Sequence, residues 1–458
     1  MKMKYLMIPV LATLVLTGCG KKNQPQPEPQ PEPEAVEIDT NSEEGKAKVN
    51  SVLDKTTELY SNPTSFKAVH IAEKVEGVNF NLGLAITETS KYGLNEAELS
   101  FSNIAFEGDQ YARVGEDRSV EGMVNIRKLE GKHAANIAAL QPLTGQKEGE
   151  EPEGIFAEGE FDIAQSNINA YFKGGKGYFD LSDEGIRTTL NNANALANEG
   201  YRAYEEINAK MEEMNKPQQS QPQPQPLREG EPEPQGLDLN AMLDQYTDPS
   251  RKFQTVIEEN GFIIPEEDYQ PATAEEVAQA KAEINDFVNN ILPSLVAAQV
   301  MKVSELKEGG LKIEANVNKE KVVNVLPIIQ DYVEAKEAEE NTDNAVQQAQ
   351  LPLRAEEPEQ NQPAEPTWAE MFDQYVSKFD IKAEIVIDKD GYFRNLGVEY
   401  GIEAGAEKMP YNFFGLTGEI TADLALAGKI NASIQYNDEV SFAFPEDLEQ
   451  YVLVNFDD

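Results

Sequence analysis

The chain has one cysteine, two histidines and one tryptophan in 458 residues. A single Cys excludes an intramolecular disulfide. Two His, at 70 and 133, are too few for a multi-histidine metal site, and no metal or other cofactor is expected. Cationic side chains are scarce as well. Lys+Arg number 39 against 82 Asp+Glu, a net charge of -43. Nucleic acid is thereby excluded as the main partner, because displacing phosphate counterions needs Lys and Arg. Direct electrostatic adhesion to an anionic lipid surface is disfavoured for the same reason. No apolar run reaches the ~20 residues that a bilayer-spanning helix takes. The hydrophobic share is 40%, so the chain builds a core over parts of its length and not everywhere.

Motifs of the common enzyme classes are missing. There is no Gly-x-Ser-x-Gly elbow, no His-Glu-x-x-His and no Walker loop. Asp388-Lys389-Asp390-Gly391 has the spacing of part of an EF-hand. The register fails, because its first position would be Val386 and its twelfth Gly397, where a bidentate Glu is required. Most acidic residues fall in linkers or on polar strand faces, where they are solvated. His70 lies in strand-like sequence and reads as structural. Trp368 lies just before Met371, Phe372 and Tyr375 and reads as a helix anchor.

The N-terminus reads as an address. Lys2 and Lys4 precede an apolar stretch from Leu6 to Leu16, the pattern of a secretory signal. It ends in Leu16-Thr17-Gly18-Cys19, which resembles the lipobox of bacterial lipoproteins. The resemblance implies cleavage before Cys19, a diacylglyceryl group on its thiol, and attachment of the protein to a membrane through that lipid. Two acyl chains suffice for stable anchoring. The implied location is extracytoplasmic: the outer face of the plasma membrane, or the outer membrane where the cell has two, since Gly20 is not the Asp that retains such proteins at the inner one.

Residues 19–42, with Gln24-Pro25-Gln26-Pro27-Glu28-Pro29 at their centre, read as an extended tether. Segments 215–236 and 341–366 are rich in Pro, Gln and Glu and read as low-complexity segments, in first place insertions into one domain over 43–458, with domain boundaries as the alternative.

The ordered pieces alternate in type. Residues 43–60 predict a helix with Val49, Val52, Leu53 and Tyr60 on one face. Helical sequence also runs from about Asp183 to Met214. Thr273-Ala274-Glu275-Glu276 is a capping box opening another helix. Phe80, Leu82, Leu84 and Ile86 alternate with polar or small residues, and Leu99 and Phe101 continue the pattern. Ile104 and Phe106 are out of phase, which predicts a bulge. Leu311, Ile313, Ala315 and Val317 make an amphipathic strand, with Asn318 capping the helix after it. Ile381, Ala383, Ile385 and Ile387 are followed by a turn at 388–391 and a return strand through Leu396, Val398 and Tyr400. Residues 420–436 hold period two throughout, which predicts one long strand bent at Gly428 or two joined strands. One apolar and one polar face on each strand predicts an antiparallel sheet with one covered face.

The segment Ile434 to Asp447, read as a strand, a polar turn and a short strand closed by Pro445-Glu446, resembles the final segment of LolA-like lipoproteins. Ala170-Tyr171-Phe172-Lys173-Gly174-Gly175-Lys176-Gly177-Tyr178-Phe179-Asp180-Leu181 is similar to their central hairpin. The resemblance implies an α+β fold: a curved antiparallel sheet forming an open half-barrel, with helices on its concave face. It also implies a non-enzymatic protein that binds or carries a lipid or other hydrophobic ligand. The strand faces around Leu82, Leu84, Ile381, Ile385, Leu424 and Leu426 are the candidate lining. The alternative is a cell-surface structural or interaction lipoprotein with a filled core.

Overall fold

The computed structural model describes residues 35–88, 95–140, 154–196, 198, 252–257, 262–325, 327–329, 332, 368–413 and 416–453. The chain begins with strand β1 (Ala35–Glu37) and helix α1 (Glu43–Tyr60). Three long strands follow: β2 (Ala68–Glu88), β3 (Asn95–Val114) and β4 (Val120–Leu140). Next come β5 (Gly154–Ile163), β6 (Ile168–Lys173), β7 (Lys176–Asp180) and β8 (Lys252–Val256). Helices α2 (Ala274–Asn290) and α3 (Leu292–Ala297) lead to β9 (Met301–Leu306) and β10 (Gly310–Asn318). The last elements are α4 (Trp368–Tyr375), β11 (Val376–Asp388), β12 (Phe393–Phe413), β13 (Leu416–Tyr436) and β14 (Val452–Leu453). The fold is strand-rich α+β with an open, mixed sheet, since β14 joins β8 in parallel while the other recorded pairings are antiparallel.

Two compact units divide these elements. The described part of the first comprises residues 35–65 and 270–404. Its strands run β1-β9-β10-β11 and then β12 as far as Ala404, the rest of β12 belonging to the second unit. Ser42 caps α1 by accepting from the Gly45 amide at 3.0 Å, and Glu43 and Glu44 complement the helix dipole. The Thr273–Glu276 capping box forms at the start of α2. Asn318 Oδ1 accepts from the Lys321 amide at 2.9 Å and caps a helical run at 319–325. Val49, Val288 and Leu292 from the helices pack with Ile38, Val303 and Leu311 into one core cluster. Ile38 lies within the segment read as tether, and Ala35–Glu37 pairs with β9, so ordered structure begins inside that segment. At the β11–β12 turn Asp388 Oδ1 accepts from the Asp390 and Tyr392 amides at 2.9 and 3.0 Å. Gly391 sits there at φ +94°, and a Cβ on it would lie 2.7 Å from the Thr56 nitrogen, so only glycine fits.

The described part of the second unit comprises 66–269 with its gaps and 405–453. Its strand order is β13-β2-β3-β4-β6-β7-β8-β14, with β5 paired to the far half of β4. β6 and β7 close at Gly174 and Gly175, both at positive φ (58° and 77°), which is the type I′ geometry that matches strand twist. The expected bulge is present. The β2–β3 register shifts between Val75 and Phe80, β3–β4 shifts between Ser102 and Ala105, and Asn103 takes φ 53°. β13 runs as one strand with an irregularity between Ala427 and Lys429, at Gly428. Residues 440–445 form no strand, contrary to the pattern-based reading. Val440, Phe442 and Phe444 alternate as a strand would, but the aromatic rings seat on side chains of the sheet instead of the backbone joining a ladder. Residues 184–196 are helical, and the rest of the helix expected through Met214 lies outside the described residues.

Candidate functional site

Alternation along β13, β2, β3 and β4 sends every second side chain to one face. The register aligns those side chains into rows. Leu426, Phe80, Phe101 and His133 form one row across four strands. Leu424, Leu82 and Leu99 form the next, then Ala422 and Leu84, with Ile420 beyond. Phe101 stacks on His133 with centroids 4.4 Å apart, and Phe80 lies 6.3 Å from Phe101. None of these side chains is buried, and Leu82 and Leu84 are 41% and 37% exposed. From strand spacing and rise, the patch covers on the order of 400 Å². Apolar patches of that size on a monomer commonly mark a binding site.

The same face continues past the bulge into a closed region. Ile71, Phe106 and Ile126 lie there at 8%, 5% and 2% exposure. Glu73 shares this face, opposite Ala432 and Gly108, and is only 8% exposed. Gln110 Nε2 donates to Glu73 Oε2 at 3.1 Å. Burial pushes the Glu73 carboxyl above its ordinary range, and the Gln110 bond offsets this in part. The sequence carried a signal for Glu73, because a carboxylate stands in phase with Val69, Ile71 and Val75 where an apolar side chain is due.

The opposite face of the far strand halves is polar. Glu98, Glu160, Asp162, Glu419 and Asp423 project there, with Lys132 and Lys429 as the cations among the described residues. On the near halves this polar face holds a tight cluster. Asp109 receives Arg127 on one oxygen, and His70 Nε2 lies 2.9 Å from the other. His70 Nδ1 lies 2.9 Å from Gln435 Oε1, and the ring stacks on Tyr111 at 4.1 Å. Phe442 packs on Tyr111 at 5.5 Å, and Arg113 sits over the Phe442 and Phe444 rings at 5.1 and 5.5 Å. Burial first, and then the charges of Asp180 and Asp447, push the Tyr171 hydroxyl up to about 12. These contacts fasten residues 440–451 to the sheet. Both ring nitrogens of His70 are thus engaged, Nδ1 by Gln435 and Nε2 by Asp109.

The structure divides the sequence-derived lining. Leu82, Leu84, Leu424 and Leu426 meet on the open face of the second unit. Ile381 and Ile385 belong to β11 of the first unit, opposite Val317 and Ile313 on one side and Tyr400 and Leu396 on the other. One end of that face, at Leu311 and Ile387, is closed, both residues being 1% exposed. An open groove of about 360 Å³ in the first unit is lined by Val52, Leu311 and three lysines. Those lysines are already engaged: Lys48 with Glu305 at 3.0 Å, Lys55 with the Lys389 carbonyl at 2.8 Å, and Lys389 with Asp390 at 2.9 Å. Among the described residues no three His, Cys, Asp or Glu side chains converge as a metal ion requires. No described helix is long and apolar enough to cross a membrane. Cys19 and the side chain of Trp368 lie outside the described residues. No protein-family model matches this chain, and no curated protein sequence matches it.

Proposed function

We propose that this chain is an extracytoplasmic lipoprotein, anchored through a diacylglyceryl group on Cys19, that binds a lipid or other hydrophobic ligand without chemical conversion. In this reading its sheet is the open half-barrel of the LolA-like lipoproteins, with helices on the concave face. The observation that carries the reading is the open apolar face of Leu82, Leu84, Leu99, Phe101, Leu424 and Leu426 in the second unit. Covering that face with an acyl chain yields about 25 cal/mol per Å² of apolar surface removed from water. No bond chemistry is needed for capture or release. The first unit favours the alternative of a filled core, because α1, α2 and α3 already pack on Val303 and Leu311. The ligand is therefore assigned to the second unit alone.

The test is mass spectrometry of a solvent extract. The chain carrying Cys19→Ser is expressed in a bacterial host and purified without detergent. A co-purified lipid near one per chain, or stoichiometric uptake of added lipid, is the expected result. Protein that arrives free of lipid and takes up none overturns the reading.

A further inference from the structure

We infer that the ligand of the open apolar face carries an uncharged or cationic head group, not a carboxylate or phosphate. The inference rests on the hydrophobic-ligand reading above and adds the class of ligand to it.

An anionic head group leaving water needs a cation or a set of aligned donors to replace its hydration. Among the described side chains on this face of β2, β3, β4 and β13, none is Lys or Arg, and the basic ring of His133, stacked on Phe101, has Nδ1 3.0 Å from the Ser100 carbonyl oxygen. The acidic group it does carry is the buried Glu73 carboxyl, in one row with Gly108 and Ile126 and hydrogen-bonded to Gln110. A second anion entering this face would meet the Glu73 carboxyl with no Lys or Arg among the described side chains of these strands between them. The opposite face adds to the same field. Glu98, Glu160, Asp162, Glu419 and Asp423 stand one sheet thickness away, and Lys132 is drawn toward Asp162 at 3.3 Å. That separation is on the order of the ~8 Å Debye length at physiological salt, so their potential reaches the apolar side.

The experiment compares three single-chain probes of equal length on the Cys19→Ser protein, below their micellar concentrations. They are an uncharged glycerol monoester, a primary alkylamine and the corresponding fatty acid at neutral pH. Binding is read by calorimetry at low and at high salt. The expected result is binding of the ester and the amine, with the fatty acid weaker by about tenfold at low salt and the gap narrowing as salt rises. Glu73→Gln is expected to narrow the gap further. Equal binding of ester and fatty acid at both salt concentrations overturns the charge selection while leaving the ligand reading intact. Failure of all three probes to bind overturns both.

Discussion

The near and far halves of β2, β3, β4 and β13 share the same strands and the same alternation, yet differ in what their apolar face does. On the near side of the bulges that face is closed over Ile71, Phe106 and Ile126. On the far side the same face, through Phe80, Leu82, Leu84, Leu424 and Leu426, is half-buried or exposed. The polar faces differ in the same sense. The near half is sealed by the segment carrying Phe442, Phe444 and Tyr451, while the far half presents carboxylates to solvent. A period-two pattern therefore says which face is apolar and is silent on what covers it. The bulge line at Gly77 and Asn103 is where cover stops, and the uncovered half is where a ligand gains most by arriving.

The largest expected effect that separates the halves is a core deletion. Ile126→Ala, at 2% exposure, is expected to cost about 2–5 kcal/mol in urea unfolding. Leu82→Ala, at 41% exposure, is expected to cost about 1 kcal/mol or less. Equal losses would mean that the far face is covered as fully as the near one. Next in size is the ligand effect. Leu82→Ser with Leu424→Ser is expected to weaken binding of an uncharged monoester by about tenfold to a hundredfold, with little change in unfolding midpoint. Weakened binding from Ile385→Ser instead would move the site to the first unit.

A smaller, pH-dependent effect sharpens the near half. Burial holds the folded Glu73 carboxyl above the ordinary carboxylate range. Folding is therefore opposed by the charged form above the unfolded carboxyl's range, and that opposition is absent below it. Glu73→Gln is expected to raise stability at neutral pH, with the gain shrinking as pH falls toward the ordinary carboxylate range. Urea unfolding at several pH values checks this, and a gain that persists unchanged at low pH contradicts the cause assigned.

Local chemistry made much of this fold legible. Ser42 and the Thr273–Glu276 box mark their helix starts because a side-chain acceptor must meet orphan amides. Gly174-Gly175 and Asp388–Gly391 mark turns because positive φ and Asx bonding favour those residues there. The phase slip between Phe101 and Ile104 marked the bulge. Long-range partners were not legible. Ile381 and Ile385 alternate as Leu82 and Leu84 do, and alternation alone cannot tell which unit a strand joins. Phe442 and Phe444 alternate as a strand, yet their partners Tyr111 and Arg113 lie over three hundred residues earlier. The pairing of Ala35–Glu37 with β9 was hidden behind the Pro-rich composition that precedes it.

The most direct test is photo-crosslinking with an uncharged acyl glycerol ester bearing a diazirine on its chain, followed by peptide mapping of the Cys19→Ser protein. Adducts concentrated on peptides containing Phe80–Leu84, Leu99–Phe101 and Ile420–Leu426 are the expected result. Adducts centred on Ile313–Val317 and Ile381–Ile387 of the first unit, or no adducts at saturating probe, would contradict the account.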